Sequence, residues 1–254
     1  NNGANDENML VANQNGQVNL YHNNVQTFET TATGIRLQNE VGNSTVAQLN
    51  LSGSSNATQD NFILFGDNAT SSPIAMGFDN SANHFVIARN TNDNLNSGIH
   101  MQFTPSGEIT MPLQPAFLAH AAAMQNNIAI NQAVTVVLGT EIFDIGANFA
   151  SNTFTAPVTG KYQLNVCLRI HDIDQSQDYM YIKIITSNRN YTKIQSPEPF
   201  DADMEMYSKS ITALADMDAG DTAYVILYQA GGAAQMDIHG SSDGHSYFSG
   251  FLAC

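Results

Sequence analysis

Apolar and polar residues alternate along this chain in short runs, and Gly, Asn, Asp and Pro punctuate them. Helical spacing of apolar positions is almost absent. Short alternating runs between turn residues predict an all-β protein. In the first 114 residues the runs come in pairs. MLVANQNGQVNLYHNN sets the turn NQNG between two strands, and Val18 and Leu20 alternate after it; Asn15-Gly16 is a strong hairpin dipeptide. VQTFETTATGIRL repeats the idea, with Val25 and Phe28 before the turn and Ile35 and Leu37 after it. IAMGFDNSANHFVIARN turns at DNSAN and continues with Phe85 and Ile87, and MQFTPSGEITM turns at Pro105-Ser106-Gly107. Each unit holds few apolar residues, and an isolated hairpin is marginal in water. The region predicts a repetitive β-hairpin fibre whose units borrow core from neighbours, in the same chain or in other copies. LSGSSNATQDN (51–61) is its weakest stretch and divides it into modules 1–52 and 53–114.

The pattern changes at MPLQPAF (111–117). Beyond it the runs are longer and more apolar: AVTVVL (133–138), KYQLNVCLRI (161–170), YMYIKIIT (179–186), SKSITALADM (208–217), TAYVILYQ (222–229) and YFSGFLAC (247–254). Strands of this length separated by turns predict a sandwich or jelly roll over 115–254. FLAHAAAMQ (117–125) has the alanines of a helix, but Pro112 and Pro115 before it and the alternating run after it fit an extended segment equally well.

Charge narrows the partners. The 254 residues hold 8 Lys plus Arg against 23 Asp plus Glu, a formal charge of −15, and only 12% are charged at all. Phosphate backbones and anionic membranes both call for a basic footprint, so neither nucleic acid nor membrane is an expected partner. No apolar run reaches the ~18 residues of a membrane span. The first residue is Asn and no signal peptide is visible, which fits a fragment or processed product. The two cysteines, Cys167 and Cys254, exclude a disulfide scaffold and read as buried thiols in apolar strands.

Four motifs in order give a resemblance. Phe154 to Pro157 form Phe-x-x-Pro, and Gly160 to Leu164 form Gly-x-Tyr-x-Leu, with Leu replacing an aromatic. Gly220-Asp221 precedes an apolar strand, and Phe248 to Leu252 read Phe-Ser-Gly-Phe-Leu. Together they resemble the C1q-like globular domain, a relative of the tumour necrosis factor fold, over about residues 115–254. LYHNNVQTFETTATGI and SGEITMPLQPAF resemble segments of tail-fibre and appendage proteins of marine bacteriophages, where short β repeats often precede a globular C-terminal head. The two resemblances imply a homotrimeric fibre or spike of a virion, extracellular. Its N-terminal end would join other virion proteins, and its C1q/TNF-like jelly-roll head would meet a host cell-surface receptor or glycan.

Candidate chemistry is sparse. Asp172, Asp174 and Asp178 form one acidic run, and Glu198, Asp201, Asp203 and Glu205 another. A hard cation wants several oxygens at one point, and the resemblance makes calcium a candidate for the first run. Neither run has an EF-hand spacing, so solvated loop carboxylates are the simpler reading. A glycosidase pair would need a fixed carboxylate separation and a cleft. No G-x-S-x-G elbow supports a serine hydrolase. His239 and His245 flank a Gly/Ser turn but match no zinc pattern. In TSNRNYT (186–192), Arg189 and Tyr191 are of types that anchor binding surfaces. The reading is therefore a binding protein, not an enzyme. Its rivals are a polysaccharide depolymerase and an architectural capsid decoration or filament subunit.

The terminus HSYFSGFLAC raises a separate question, because both faces of this strand are apolar. Alternation puts Tyr247, Ser249, Phe251 and Ala253 on one side and Phe248, Gly250, Leu252 and Cys254 on the other. A sandwich covers one face of each sheet. The expectation is that Phe248, Gly250, Leu252 and Cys254 face other subunits of a trimer, and that Tyr247 and Phe251 fill the internal core.

Overall fold

The computed structural model describes residues 9–14, 16–22, 25–37, 60–66, 73–89 and 95–254. Among them there are strands and turns and no helix. The first sheet is a four-stranded meander of β1 (Leu10–Ala12), β2 (Val18–His22), β3 (Val25–Thr31) and β4 (Gly34–Leu37). The second runs through β5 (Asn61–Phe65), β6 (Ile74–Asp79), β7 (His84–Arg89), β8 (Ile99–Phe103) and β9 (Ile109–Thr110). All four hairpins expected from the turn residues are present. At DNSAN the Asp79 carboxylate accepts from the backbone of Ser81 (2.9 Å) and Ala82 (3.0 Å), which fixes the turn. The boundary expected at 51–61 falls almost wholly outside the described residues.

Neither sheet buries much. Among the described residues a small core is formed by Ala75, Val86, Ala88 and Leu95, with Phe62 and Ile99 against it. The buried residues of β7 are thus Val86 and Ala88, while Phe85 points outward. Leu10, Ile35, Phe65 and Ile109 are all exposed.

From residue 116 the chain builds two facing antiparallel sheets. Their strands are β10 (Ala116–His120), β11 (Ala133–Thr135), β12 (Thr140–Ile145), β13 (Phe149–Ala150), β14 (Thr153–Thr155) and β15 (Gly160–Ile173). They continue with β16 (Gln177–Thr186), β17 (Asn190–Gln195), β18 (Met204–Met217), β19 (Thr222–Gly231), β20 (Asp237–Ile238) and β21 (Tyr247–Leu252). One sheet has the order β12-β10-β21-β15-β18 with β20 on β15; the other is β13-β14-β19-β16-β17 with β11 on β19. FLAHAAAMQ is extended at its start, and Phe117, Ala119 and Ala121 all enter the core.

The core is aromatic at one end. Phe117 stacks on Phe154 (4.6 Å) and Phe149 (5.1 Å) and meets Phe248 edge-on at 5.0 Å. Tyr162 is fully buried, and its hydroxyl donates to the Val158 carbonyl at 2.8 Å. Pro157 lies between β14 and β15, outside any ladder, as a residue lacking an N–H must. The Asp218–Asp221 turn closes with Gly220 at φ +93° and the Asp221 carboxylate accepting from Asp218 N at 2.8 Å.

Candidate functional site

β21 sits in the middle of its sheet, between β10 and β15. Its register decides which side chains face the core. Phe248 pairs with Ala119 and Val166, and Gly250 with Phe117 and Leu164, all of them buried. Phe248 is 0% exposed and Gly250 is buried, whereas Phe251 is 46% exposed. The two faces expected for this strand are therefore present but exchanged. Phe248 and Gly250 are core residues, and Leu252 packs against the same core. Neither Phe248 nor Gly250 is free to meet another subunit, and Leu252 is only partly exposed. The reason is the aromatic cluster: the inward rings of Phe117 and Phe149 need a large apolar partner, and Phe248 supplies it. Gly250 is small for that reason and not to let chains approach one another. Cys254 is exposed beyond the strand, and Cys167 is half-buried on the outward side, so the two do not form a buried pair. Burial pushes the Cys167 thiol up.

The outward face of this sheet is ordered in rows across the strands. Ile145, Ala116, Phe251, Gln163 and Leu214 form one. Phe143, Leu118, Ser249, Asn165 and Thr212 form the next, and Thr140, His120, Tyr247, Cys167 and Ser210 the third. Phe143, Phe251 and Leu214 are exposed large apolar residues, as is Ile142 at the irregularity between Leu118 and Ala119. A groove of about 560 Å³ lies here, lined by Leu118, His120, Ile142, Phe143, Tyr247 and Ser249. His120 is 5% exposed and its Nδ1 has no hydrogen-bond partner. A face of this kind, apolar with a few polar groups, suits association with another protein surface.

The acidic runs do not gather into a cation site. Asp174 is buried and its carboxylate is taken up by backbone: Oδ1 accepts from Ser176 N at 2.7 Å, and Oδ2 from Ala234 N at 2.9 Å and from Ala233 N. Hydrogen bonds from Ser176 and from that backbone hold its pKa down to about 2. Asp172 and Asp178 are exposed. No group of three or more His, Cys, Asp or Glu placed to hold a metal occurs among the described residues. The calcium reading of Asp172, Asp174 and Asp178 is corrected accordingly: the central carboxylate of the run staples a loop. In the second run, Asp203 accepts from Gln175 N at 2.8 Å and the Phe200 carbonyl from Gln175 Nε2 at 2.7 Å, so the two acidic loops are tied together at Gln175.

Arg189 and Tyr191 part company. The Arg189 guanidinium is in a 2.6 Å ion pair with Asp216 at the surface, which raises its own pKa and lowers that of Asp216. Tyr191 lies on β17 opposite Ile184, on the inward side, and packs against the core. It is not an exposed anchor.

The histidines form a cluster that spacing alone does not reveal. His171 and His239 stack at 4.7 Å, and His239 meets His245 at 5.1 Å. His171 Nε2 and His239 Nδ1 are buried without partners. Burial, then Arg169, His171 and His245, push the His239 pKa below its ordinary value. His239 and His245 are thus brought together, and His171, about 70 residues away in sequence, completes the set. Only the pairing of β20 with β15 makes it a neighbour, because His239 N donates to the Arg169 carbonyl.

Comparison with known proteins bears on the same region. The globular domain of zebrafish complement 1qA is similar to this chain at a TM-score of 0.41 and 15% identity, covering 56% of this chain and 98% of that one. Murine APRIL is similar at a TM-score of 0.39 and 14% identity, covering 55% and 98%. No curated protein matches. The model of the C1q domain family matches residues 116–253, more than half of the chain. Domains of this family are often trimeric and bind ligands, and are typically extracellular. Two antiparallel sheets, a core built on Phe117, Phe154, Tyr162 and Phe248, and the matched span agree, and the chain belongs to the C1q domain family.

Proposed function

We propose that this chain is a trimeric viral fibre or spike protein of the phage type, whose C1q-like head binds a host-surface ligand. The observation that carries it is the outward face of the β12-β10-β21-β15-β18 sheet. Phe251, Leu214, Phe143 and Ile142 are exposed on one sheet of a chain with a formal charge of −15. Apolar side chains so placed need cover, and a second and third copy of the same face provide it without any new sequence. The exposed apolar residues of β1–β9 support the same assembly, since a narrow hairpin region gains a core by bundling copies. The remaining surface of the head, loops and opposite sheet, is left for ligand.

Two measurements test the reading. Electron micrographs of particles labelled with antibody to residues 115–254 should show label at the ends of fibres, and unlabelled particles would overturn the viral assignment. Excess soluble chain should block adsorption of particles to host cells. If the chain instead shortens host polysaccharide, it is a depolymerase. If it neither binds cells nor blocks adsorption, it is architectural.

A further inference from the structure

On the opposite sheet, the outward positions of β16 and β19 carry four tyrosines, Tyr179, Tyr181, Tyr224 and Tyr228, and all but Tyr224 gather in one cluster. Met180, Ile182 and Ile184 point inward, so Tyr179, Tyr181 and Lys183 point outward. Val225 and Leu227 point inward, so Tyr228 points outward opposite Tyr181. The Tyr181 and Tyr228 rings are 4.8 Å apart and 5° from parallel. Tyr179 stands at 6.0 Å from Tyr228 and 6.4 Å from Tyr181, within about 21° of both planes. Cross-strand aromatic pairs stabilise a sheet, which accounts for Tyr181 with Tyr228. It does not account for the rest. Tyr179 is 36% exposed beside the closer pair, and the neighbouring Ile194 on β17 is 61% exposed. Among the described residues none of the three phenol hydroxyls has a hydrogen-bond partner, and burial raises the pKa of the Tyr181 phenol.

Lys183 adds a charge. Its ammonium lies 4.7 Å from the centre of the Tyr181 ring, and it has no carboxylate partner among the described residues. Arg36 and Arg189, by contrast, are paired with Glu29 and Asp216. The result is a stacked Tyr181–Tyr228 pair flanked by the exposed Tyr179 ring, with three hydroxyls and one ammonium that have no hydrogen-bond or carboxylate partner among the described residues, on a chain of net charge −15. Along β16, Tyr179 to Lys183 spans about 13 Å at ~3.3 Å per residue, the reach of an oligosaccharide and not of a single sugar.

We propose that Tyr179, Tyr181, Tyr228 and Lys183 form a binding strip for an acidic oligosaccharide. The apolar C–H face of a sugar ring lies on the exposed Tyr179 ring, beside the closed Tyr181–Tyr228 stack, and the electron-rich ring attracts it. Free phenols exchange hydrogen bonds with ring hydroxyls, and a sugar carboxylate pairs with Lys183. A carboxylate fits here because the charge of the strip is opposite to that of the rest of the chain. This rests on the reading of the head as a ligand-binding module, and it names the ligand class and the site.

The chain has no tryptophan and nine tyrosines, three of them in the strip, so the part of the tyrosine emission change that is lost in Tyr179→Ala reports on the strip. Titrating the full chain with short polyuronate oligomers should quench that emission saturably, and matched neutral glucans should bind more weakly. Lys183→Gln should raise the Kd for polyuronate about tenfold and leave the neutral glucans unchanged. Tyr179→Ala should weaken both, with the melting temperature held within a few degrees. Tyr228→Phe keeps the stack and removes one hydroxyl, so it should weaken binding without loss of fold. Absence of polyuronate binding, or binding unchanged in Lys183→Gln, overturns the proposal. Host-cell adsorption is measured on the same proteins. If the unaltered chain adsorbs and all three variants adsorb equally, the site is wrong and the ligand-binding reading stands. If the unaltered chain does not adsorb, that reading fails.

Discussion

A β-carbon built on Gly250 would lie 2.8 Å from Cε1 of Phe117 and 2.7 Å from Cδ2 of Leu164. Glycine is therefore required on β21 by its own sandwich, where the Phe117 ring crosses the strand. Gly250→Ala is an overpacking change and should cost about 1–3 kcal/mol, read as a lower denaturant midpoint at unchanged slope. Ser249→Ala, one residue away on the outward face, should change stability by less than about 0.5 kcal/mol.

Asp174 makes stability depend on acid. Its folded pKa is held down to about 2 from an ordinary 3.8. A depressed carboxyl contributes stability that is present above the ordinary value and is lost as pH falls through the folded one. Asp174→Asn should thus be less stable than the unaltered chain at pH 6, and the gap should close between pH 4 and 2. Urea melts across that range check it. An equal gap at pH 6 and pH 2 would contradict the role given to this carboxylate.

Lys209 is 3% exposed on β18, paired with the inward Leu168 of β15. Burial, and then the nearby Lys193, push its pKa from 10.5 to about 8. The unfolded chain holds that proton more tightly, so stability should rise as pH climbs through 8 towards 10.5. Lys209→Met keeps the stem and removes the charge. It should raise the melting temperature at pH 7 and flatten the rise above pH 8.

Much of the head was legible in the sequence because local chemistry and long-range packing agree there. Pro157 and the Asp218–Asp221 turn mark strand ends that the fold respects, and the motif residues Phe154, Tyr162 and Phe248 are core residues. Alternation along β21 was legible too, but not its polarity. Both faces of that strand are apolar, so only the partners across the ladder, Phe117 on one side and Leu164 on the other, tell which face is inside. The inward turn of Tyr191 was hidden for the same reason: a tyrosine in a polar run reads as exposed until its strand is paired. The histidine set and the tyrosine strip join residues distant in the chain, and pairing of β15 with β20 and of β16 with β19 creates both.

The N-terminal hairpins should not stand alone. Their described core is four residues, three of them small or β-branched, and their sheets leave Ile35, Phe65 and Ile109 in water. A fragment of residues 1–114 should show no cooperative melt as a monomer and should gain one only on association. A sharp, concentration-independent transition would count against the fibre reading.

The central claim is that three copies meet through the outward face of the β12-β10-β21-β15-β18 sheet. Phe251 lies in that face, with Leu214 in the same row, and it takes little part in the internal core. Light scattering of the full chain should give the mass of three chains. Phe251→Asp should give the mass of one, with the far-ultraviolet dichroism of the folded sheets retained, because an unpaired charge is costly only where the face is covered. A monomeric unaltered chain, or a Phe251→Asp variant that remains fully trimeric, would contradict the account.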